Sequence, residues 1–148
     1  MNNWKWTFPE LDKYKNGELI VYTVNETAVA NYTVNITQVG NDFTLNNTHV
    51  PELTEVNVTK IWDDNNDQDG VRPPSVTVIL YADGTEINRT VLSEENNWKW
   101  TFPELDKYNN GILIVYTVNE TAVANYTVNI TQVGNDFTLN NTHVPELT

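Results

Sequence analysis

The chain has 148 residues, room for one ordinary domain or one and a half small ones, and its formal net charge is −12. A surface that acidic repels nucleic acid and anionic lipid, so neither is expected as a partner. No cysteine is present, which excludes a disulfide framework and a thiolate metal site, and no apolar run approaches the length that spans a bilayer.

The first element met along the chain is a repeat. Residues 2–54 return as 96–148, with two differences: Lys15 becomes Asn109 and Glu18 becomes Ile112. Residues 55–95 occur once. The chain therefore reads as the second half of a repeat, 1–54, followed by one complete repeat, 55–148, in the manner of beads on a string.

Threonine, valine and the aromatic residues favour strands, and the abundant asparagine favours turns. No helical apolar period is visible, so the class is all-β. In the complete repeat, alternation and turn signals predict about seven strands: 55–62, 75–82, 86–92, 98–102, 112–120, 126–132 and 136–142. Asp83-Gly84 and Gly134-Asn135 read as hairpin turns. Residues 63–74 read as a polar loop that Pro73-Pro74 closes. Short strands at this spacing suggest a sandwich. The half repeat holds the last four strands and is not expected to close a sandwich alone.

Side chains alternate across a strand, so parity assigns faces. Val56, Val58, Lys60 and Trp62 share one face of the first strand. Ile114, Tyr116, Val118 and Glu120 share a face of the fifth, and Phe137, Leu139 and Asn141 a face of the last. A lysine, a glutamate and an asparagine thus stand in apolar rows. Each has a plain reading: Lys60 snorkels at a sheet edge, Glu120 is solvated at its strand end, and Asn141 is a turn residue. If all three converge instead, chemistry follows. Burial disfavours an ammonium and leaves a nucleophilic amine. A neighbouring carboxyl group can polarise the asparagine carbonyl and pass a proton to departing ammonia. Fixed geometry supplies effective concentration.

Other constellations carry less. Asn65-x-Asp67-x-Asp69-Gly70 resembles the start of a calcium loop, but the twelfth position is Val76, so a polar turn is expected and no metal. His49 and His143 occupy one repeat position without clustered partners, so neither is expected to bind metal or catalyse. Trp4, Trp6, Trp98 and Trp100 form W-x-W pairs, read as core rather than a sugar platform. Asn-x-Thr sequons run from Asn25 to Asn140 and are glycosylation acceptors in a suitable host.

Four motifs together carry a family resemblance: VTKIWDDNNDQDGVRPPSVTVILYADG at 58–84, NNWKWTFPELDKY at 96–108, IVYTVNE at 114–120 and FTLNNTHVPE at 137–146. Their order resembles collagen-adhesin B-type (Cna B-type) repeats over the whole of 55–148, and the later motifs recur in 2–54. The resemblance implies a prealbumin-like or reverse immunoglobulin-like β-sandwich from the stalk of a surface adhesin or pilin. It also implies an autocatalytic bond between a first-strand lysine and a last-strand asparagine, promoted by a glutamate. These roles fall on Lys60, Asn141 and Glu120. Glu26 and Asn47 are the half-repeat equivalents, with Asn47 an alternative acceptor. Family members often carry Gly where this chain has Asn125, and Asn tolerates the same left-handed backbone.

The expected function is structural: a cross-linked stalk repeat, extracellular at the cell surface or wall, without cofactor and without enzymatic turnover. Met1-Asn2-Asn3-Trp4 does not read as a secretion signal, so a signal or wall anchor is expected outside these residues. Expected partners are neighbouring repeats, with self-association through the open half repeat 2–54. The rival readings are a glycan- or matrix-binding module and an assembly protein that joins chains through that half repeat.

Overall fold

A computed structural model describes all 148 residues, which divide into two compact units, Met1–Val50 and Pro51–Thr148. The first contains a two-residue ribbon, β1 (Tyr14–Lys15) with β2 (Glu18–Leu19), and one hairpin, β3 (Thr33–Val39) with β4 (Asp42–Thr48). The second begins with β5 (Leu53–Asp63), β6 (Ser75–Ala82) and β7 (Thr85–Ser93). A single 3-10 turn follows at Glu94–Asn96, held by a capping box between Ser93 and Asn96. Then come β8 (Lys99–Asp106), β9 (Tyr108–Asn109), β10 (Ile112–Leu113), β11 (Tyr116–Glu120), β12 (Thr127–Val133) and β13 (Asp136–Thr142).

The second unit is a sandwich of a four-stranded sheet, β12-β13-β5-β8, and a three-stranded sheet, β11-β6-β7. β13 and β5, the last strand and the first, are parallel neighbours; every other pairing is antiparallel. Strand alternation buries one row from each sheet. Val56, Val58, Phe137 and Leu139 from one meet Val78, Leu80 and Val118 from the other. Each such side chain contributes about 1.5–3 kcal/mol of burial, so this interleaved row holds the two sheets together.

The strands deviate from the sequence reading where local chemistry overrides pattern. β8 runs on through Pro103 to Asp106, because β8 is an edge strand and an edge tolerates a residue without an N–H. The stretch 112–120 is broken. Ile112–Leu113 pair back onto Tyr108–Asn109, and Tyr116–Glu120 join β6 in the other sheet. The crossing is pinned where Asp83 N–H donates to the Val115 carbonyl at 2.8 Å and Val115 N–H donates to Asp83 Oδ1 at 2.9 Å. Asp83 and Gly84 both have positive φ, 48° and 85°, the conformation of a type I′ hairpin turn.

The first unit repeats the local geometry of its counterpart without a core. The Val34↔Asn47 register of β3–β4 is that of Val128↔Asn141 in β12–β13. Yet Leu45 is 36% exposed whereas its equivalent Leu139 is 0% exposed. Trp4 and Trp6 are likewise exposed, contrary to the core role read from their spacing. Trp100 faces Val58 at the sheet edge and remains 43% exposed, so of the four only Trp98 packs partly against the core.

Candidate functional site

Lys60, Glu120 and Asn141 meet between the two sheets of the second unit. Lys60 and Asn141 come from the parallel neighbours β5 and β13, and Glu120 comes from the end of β11 on the facing sheet. Lys60 Nζ lies 3.2 Å from Glu120 Oε2, with the two side chains 0% and 2% exposed. Asn141 Nδ2 donates to Glu120 Oε1 at 2.5 Å. One carboxylate thus bridges the amine and the amide nitrogen. The contact differs from the expected one, in which the carboxyl group meets the asparagine carbonyl. Asn141 Oδ1 has no hydrogen-bond partner, and neither does Glu120 Oε2.

Burial holds the Lys60 pKa below the usual lysine range, and the charge and hydrogen bond of Glu120 offset this in part. Lys60 Nζ also lies 3.4 Å from the Leu139 carbonyl and 4.5 Å from the centroid of the Trp62 ring. Trp62 packs edge-on against Trp98 and Tyr126, with centroids 5.3 Å and 5.0 Å apart, and so covers the amine with aromatic surface. The site is closed to solvent, with Lys60 and Asn141 both buried.

A second network, not singled out in the sequence, supports this cover. Asp64 is 2% exposed. It accepts from Arg72 Nε at 2.9 Å and Nη2 at 2.6 Å, from Tyr126 Oη at 2.7 Å, and from Asp67 N–H at 3.0 Å. The Arg72 guanidinium holds the Asp64 carboxyl well below the usual carboxylate range, while burial and this carboxylate push the Tyr126 hydroxyl up to about 12. The loop after β5 is therefore a folded lid over Trp62. The signal was parity: Asp64 continues the inward row of Val58, Lys60 and Trp62, but it lies one residue past the strand.

The carboxylates of the calcium-like motif have protein partners. Asp67 Oδ1 accepts from Arg72 N–H at 3.0 Å, and Asp69 Oδ2 faces His143 Nε2 at 2.8 Å. His143, expected to stand alone, is joined to Asp69 and to the Asn125 carbonyl. Asn125 has φ 72°, the left-handed backbone anticipated for it. In the first unit, Asn47 Nδ2 donates to Glu26 Oε1 at 2.6 Å, and His49 Nδ1 faces the Asn31 carbonyl at 2.7 Å. The glutamate–asparagine pair therefore forms from the half repeat's own residues.

A two-sheet sandwich with parallel first and last strands and a repeated second half defines this molecule as a β-sandwich repeat protein. The family model for the Cna protein B-type domain matches residues 1–48 and 56–142, and the chain belongs to that family. It is 43% identical over 150 residues to the collagen adhesin of Staphylococcus aureus, covering 99% of this chain but 12% of the adhesin. The crystal structure of two B repeat units of the collagen-binding protein of S. aureus superposes with a TM-score of 0.63 at 40% identity, covering 99% of this chain and 39% of that one. The single B repeat unit of that protein gives 0.60 at 41% identity, covering 97% and 76%. The pilus adhesin SpaC of Lactobacillus rhamnosus GG shares the fold, with a TM-score of 0.52 at 20% identity over 72% of this chain and 14% of that one.

Proposed function

We propose that residues 55–148 are a load-bearing stalk repeat of a cell-surface adhesin, with an intramolecular isopeptide bond tying its first strand to its last. The observation that carries this reading is the Glu120 carboxylate, 3.2 Å from Lys60 Nζ on one side and 2.5 Å from Asn141 Nδ2 on the other. Lys60 Nζ in its neutral form attacks Asn141 Cγ. The Nζ–Cγ bond forms, the Cγ–Nδ2 bond breaks, and Glu120 carries the amine proton to the nitrogen that leaves as ammonia. The product is a neutral amide where two buried polar side chains stood. The reaction runs once per molecule, so the protein is not an enzyme with turnover.

An extracellular position at the cell surface or wall fits the role, since a covalent tie without cysteine stabilises a stalk much as a long-range disulfide would. Residues 1–54 are the second half of a preceding repeat. Their apolar side chains are open to solvent, with Trp4 101% exposed, and such a face recruits another chain. Self-association through 2–54 follows from this reading, beside the ordinary partnership with neighbouring repeats.

Intact-mass spectrometry of the folded chain tests the bond directly. The expected mass is that of the sequence less one ammonia, with a tryptic peptide joining Lys60 to Asn141. An unmodified mass in a folded sample, or a map dominated by Lys60–Asn47, overturns the assignment.

A further inference from the structure

The peptide Val-Pro-Glu-Leu-Thr occurs at 50–54 and again at 144–148. Its first occurrence leads into the unit Pro51–Thr148 and its second leads out of it, so one sandwich displays the same linker as entrance and as exit. The two ends use different atoms of the linker. At the entrance, Lys107 N–H donates to the Glu52 carbonyl at 3.1 Å, and Leu53 and Thr54 then pair with Asp106 and Leu105 on β8. At the exit, Glu146 N–H donates to Asp69 Oδ2 at 2.9 Å.

The exit is anchored more deeply than that one bond. His143 N–H donates to the Asp63 carbonyl at 3.0 Å, which extends the parallel β13–β5 ladder by one step. The His143 ring faces the Asn125 carbonyl through Nδ1 at 2.7 Å and Asp69 Oδ2 through Nε2 at 2.8 Å. Both partners are acceptors, an arrangement that favours the doubly protonated ring and raises its pKa, Asp69 first and the Asn125 carbonyl next. Asp69 thus binds the ring and the linker amide with one oxygen.

Glu52 and Glu146 are one position of the repeat. Its carbonyl is taken at an entrance and its N–H at an exit, and these groups are independent, so one glutamate can serve both at once. We propose that Asp69 and His143 lock the joint to a following repeat of the same kind, whose Lys107 equivalent and β8 equivalent hold the other side of the same linker. Between the last bond to one repeat and the first bond to the next no residue is left slack. The proline in the linker fixes its own φ as well. His49 keeps the carbonyl contact of His143, but the half repeat has no counterpart of Asp69, which falls in the stretch that occurs once. This inference rests on the tandem arrangement and not on the isopeptide bond.

The test is a full chain extended after Thr148 by a second copy of residues 55–148. The natural sequence has no cysteine, so Thr131→Cys, at an exposed site on β12, placed in each complete repeat gives two spin-label positions. Pulsed dipolar spectroscopy then reads the spread of distances between repeats. The parent gives a narrow distribution. Asp69→Ala in the first complete repeat broadens it about twofold as the linker becomes a flexible tether, and His143→Gln broadens it from the other side of the same contact. Equal widths in the parent and both folded variants overturn the proposal. The intact mass of each sample reports the isopeptide bond separately, so failure of one reading is distinguishable from failure of the other.

Discussion

Leu139 on β13 stands directly beside Lys60 on β5 in parallel register, and this pairing sets what the lysine can reach. Asn141 lies two residues farther along, about 6.6 Å at ~3.3 Å per residue, a span the lysine stem covers. Both side chains point into the sandwich because Lys60, Leu139 and Asn141 share the inward parity of their strands. Glu120, at the end of the facing strand, meets them there.

Glu120→Gln keeps the shape of the bridging side chain and removes its ability to carry a proton. Bond formation is expected to slow about 10²–10⁴-fold, the usual contribution of a positioned acid–base group. The time course of ammonia loss after refolding, followed by intact mass, checks this. A parent-like rate would remove Glu120 from the mechanism.

Lys60→Met removes the amine and keeps most of the stem. The expected loss in stability is about 4 kcal/mol, the order associated with a closed loop of this length. Thermal melting and protease resistance measure it. A variant that melts with the parent, in a parent whose mass shows the bond, would mean that the tie adds nothing to stability.

Asp64→Ala strands the Arg72 guanidinium and the Tyr126 hydroxyl beneath the loop after β5. The cost is expected at about 2–3 kcal/mol, the scale of lost hydrogen bonds to a charged group. It is best read by denaturant titration in the Lys60→Met background, where no cross-link alters the unfolded chain. Because the folded pKa of Asp64 is depressed, its contribution is present above the unfolded value of about 3.9 and is lost as pH falls through the folded one.

His143 has the opposite sign. Asp69 raises its pKa first, and the Asn125 carbonyl adds to this; Glu146 also favours the charged ring, and Tyr126 packs its ring at 5.4 Å. The stabilisation is fully present below the unfolded value of about 6.5 and disappears as pH rises through the folded one. The melting-temperature difference between the parent and His143→Gln should therefore shrink on going from acid to mildly alkaline pH. A difference that is constant across that range would exclude an imidazolium at this position.

The open first unit makes a prediction about assembly. Light scattering of the full chain should show oligomers, and removal of residues 2–50 should abolish them. A strictly monomeric full chain would show that the exposed apolar side chains of this unit, Trp4, Phe8 and Leu45 among them, do not recruit another molecule.

The inward rows of β5, β11 and β13 were legible because strand parity is a period-2 property, and one misplaced polar residue in each row stands out. Placing all three in one cavity needed the family resemblance, since alternation says nothing about which strands are neighbours. Two features escaped for different reasons. The break at Ile114–Val115 depends on Asp83, thirty-one residues upstream of Ile114, and no local pattern reports a contact so distant. The partners of His143 lie on the loop after β5 and at Asn125, so a histidine without neighbours in sequence has them in space.

The parallel arrangement of β5 and β13 has a mechanical consequence. The chain enters at the start of β5 and leaves at the end of β13, which parallel neighbours place at opposite ends of their shared ladder. Tension applied between these two ends therefore slides the two strands lengthwise past each other instead of peeling them apart one bond at a time. In that shear geometry the rungs from Asn57↔Asp136 to Asp63↔Thr142 resist together. A bond from Lys60, on the middle rung, to Asn141, one rung short of the far end, runs along the ladder, so sliding would have to stretch it from the first ångström of motion.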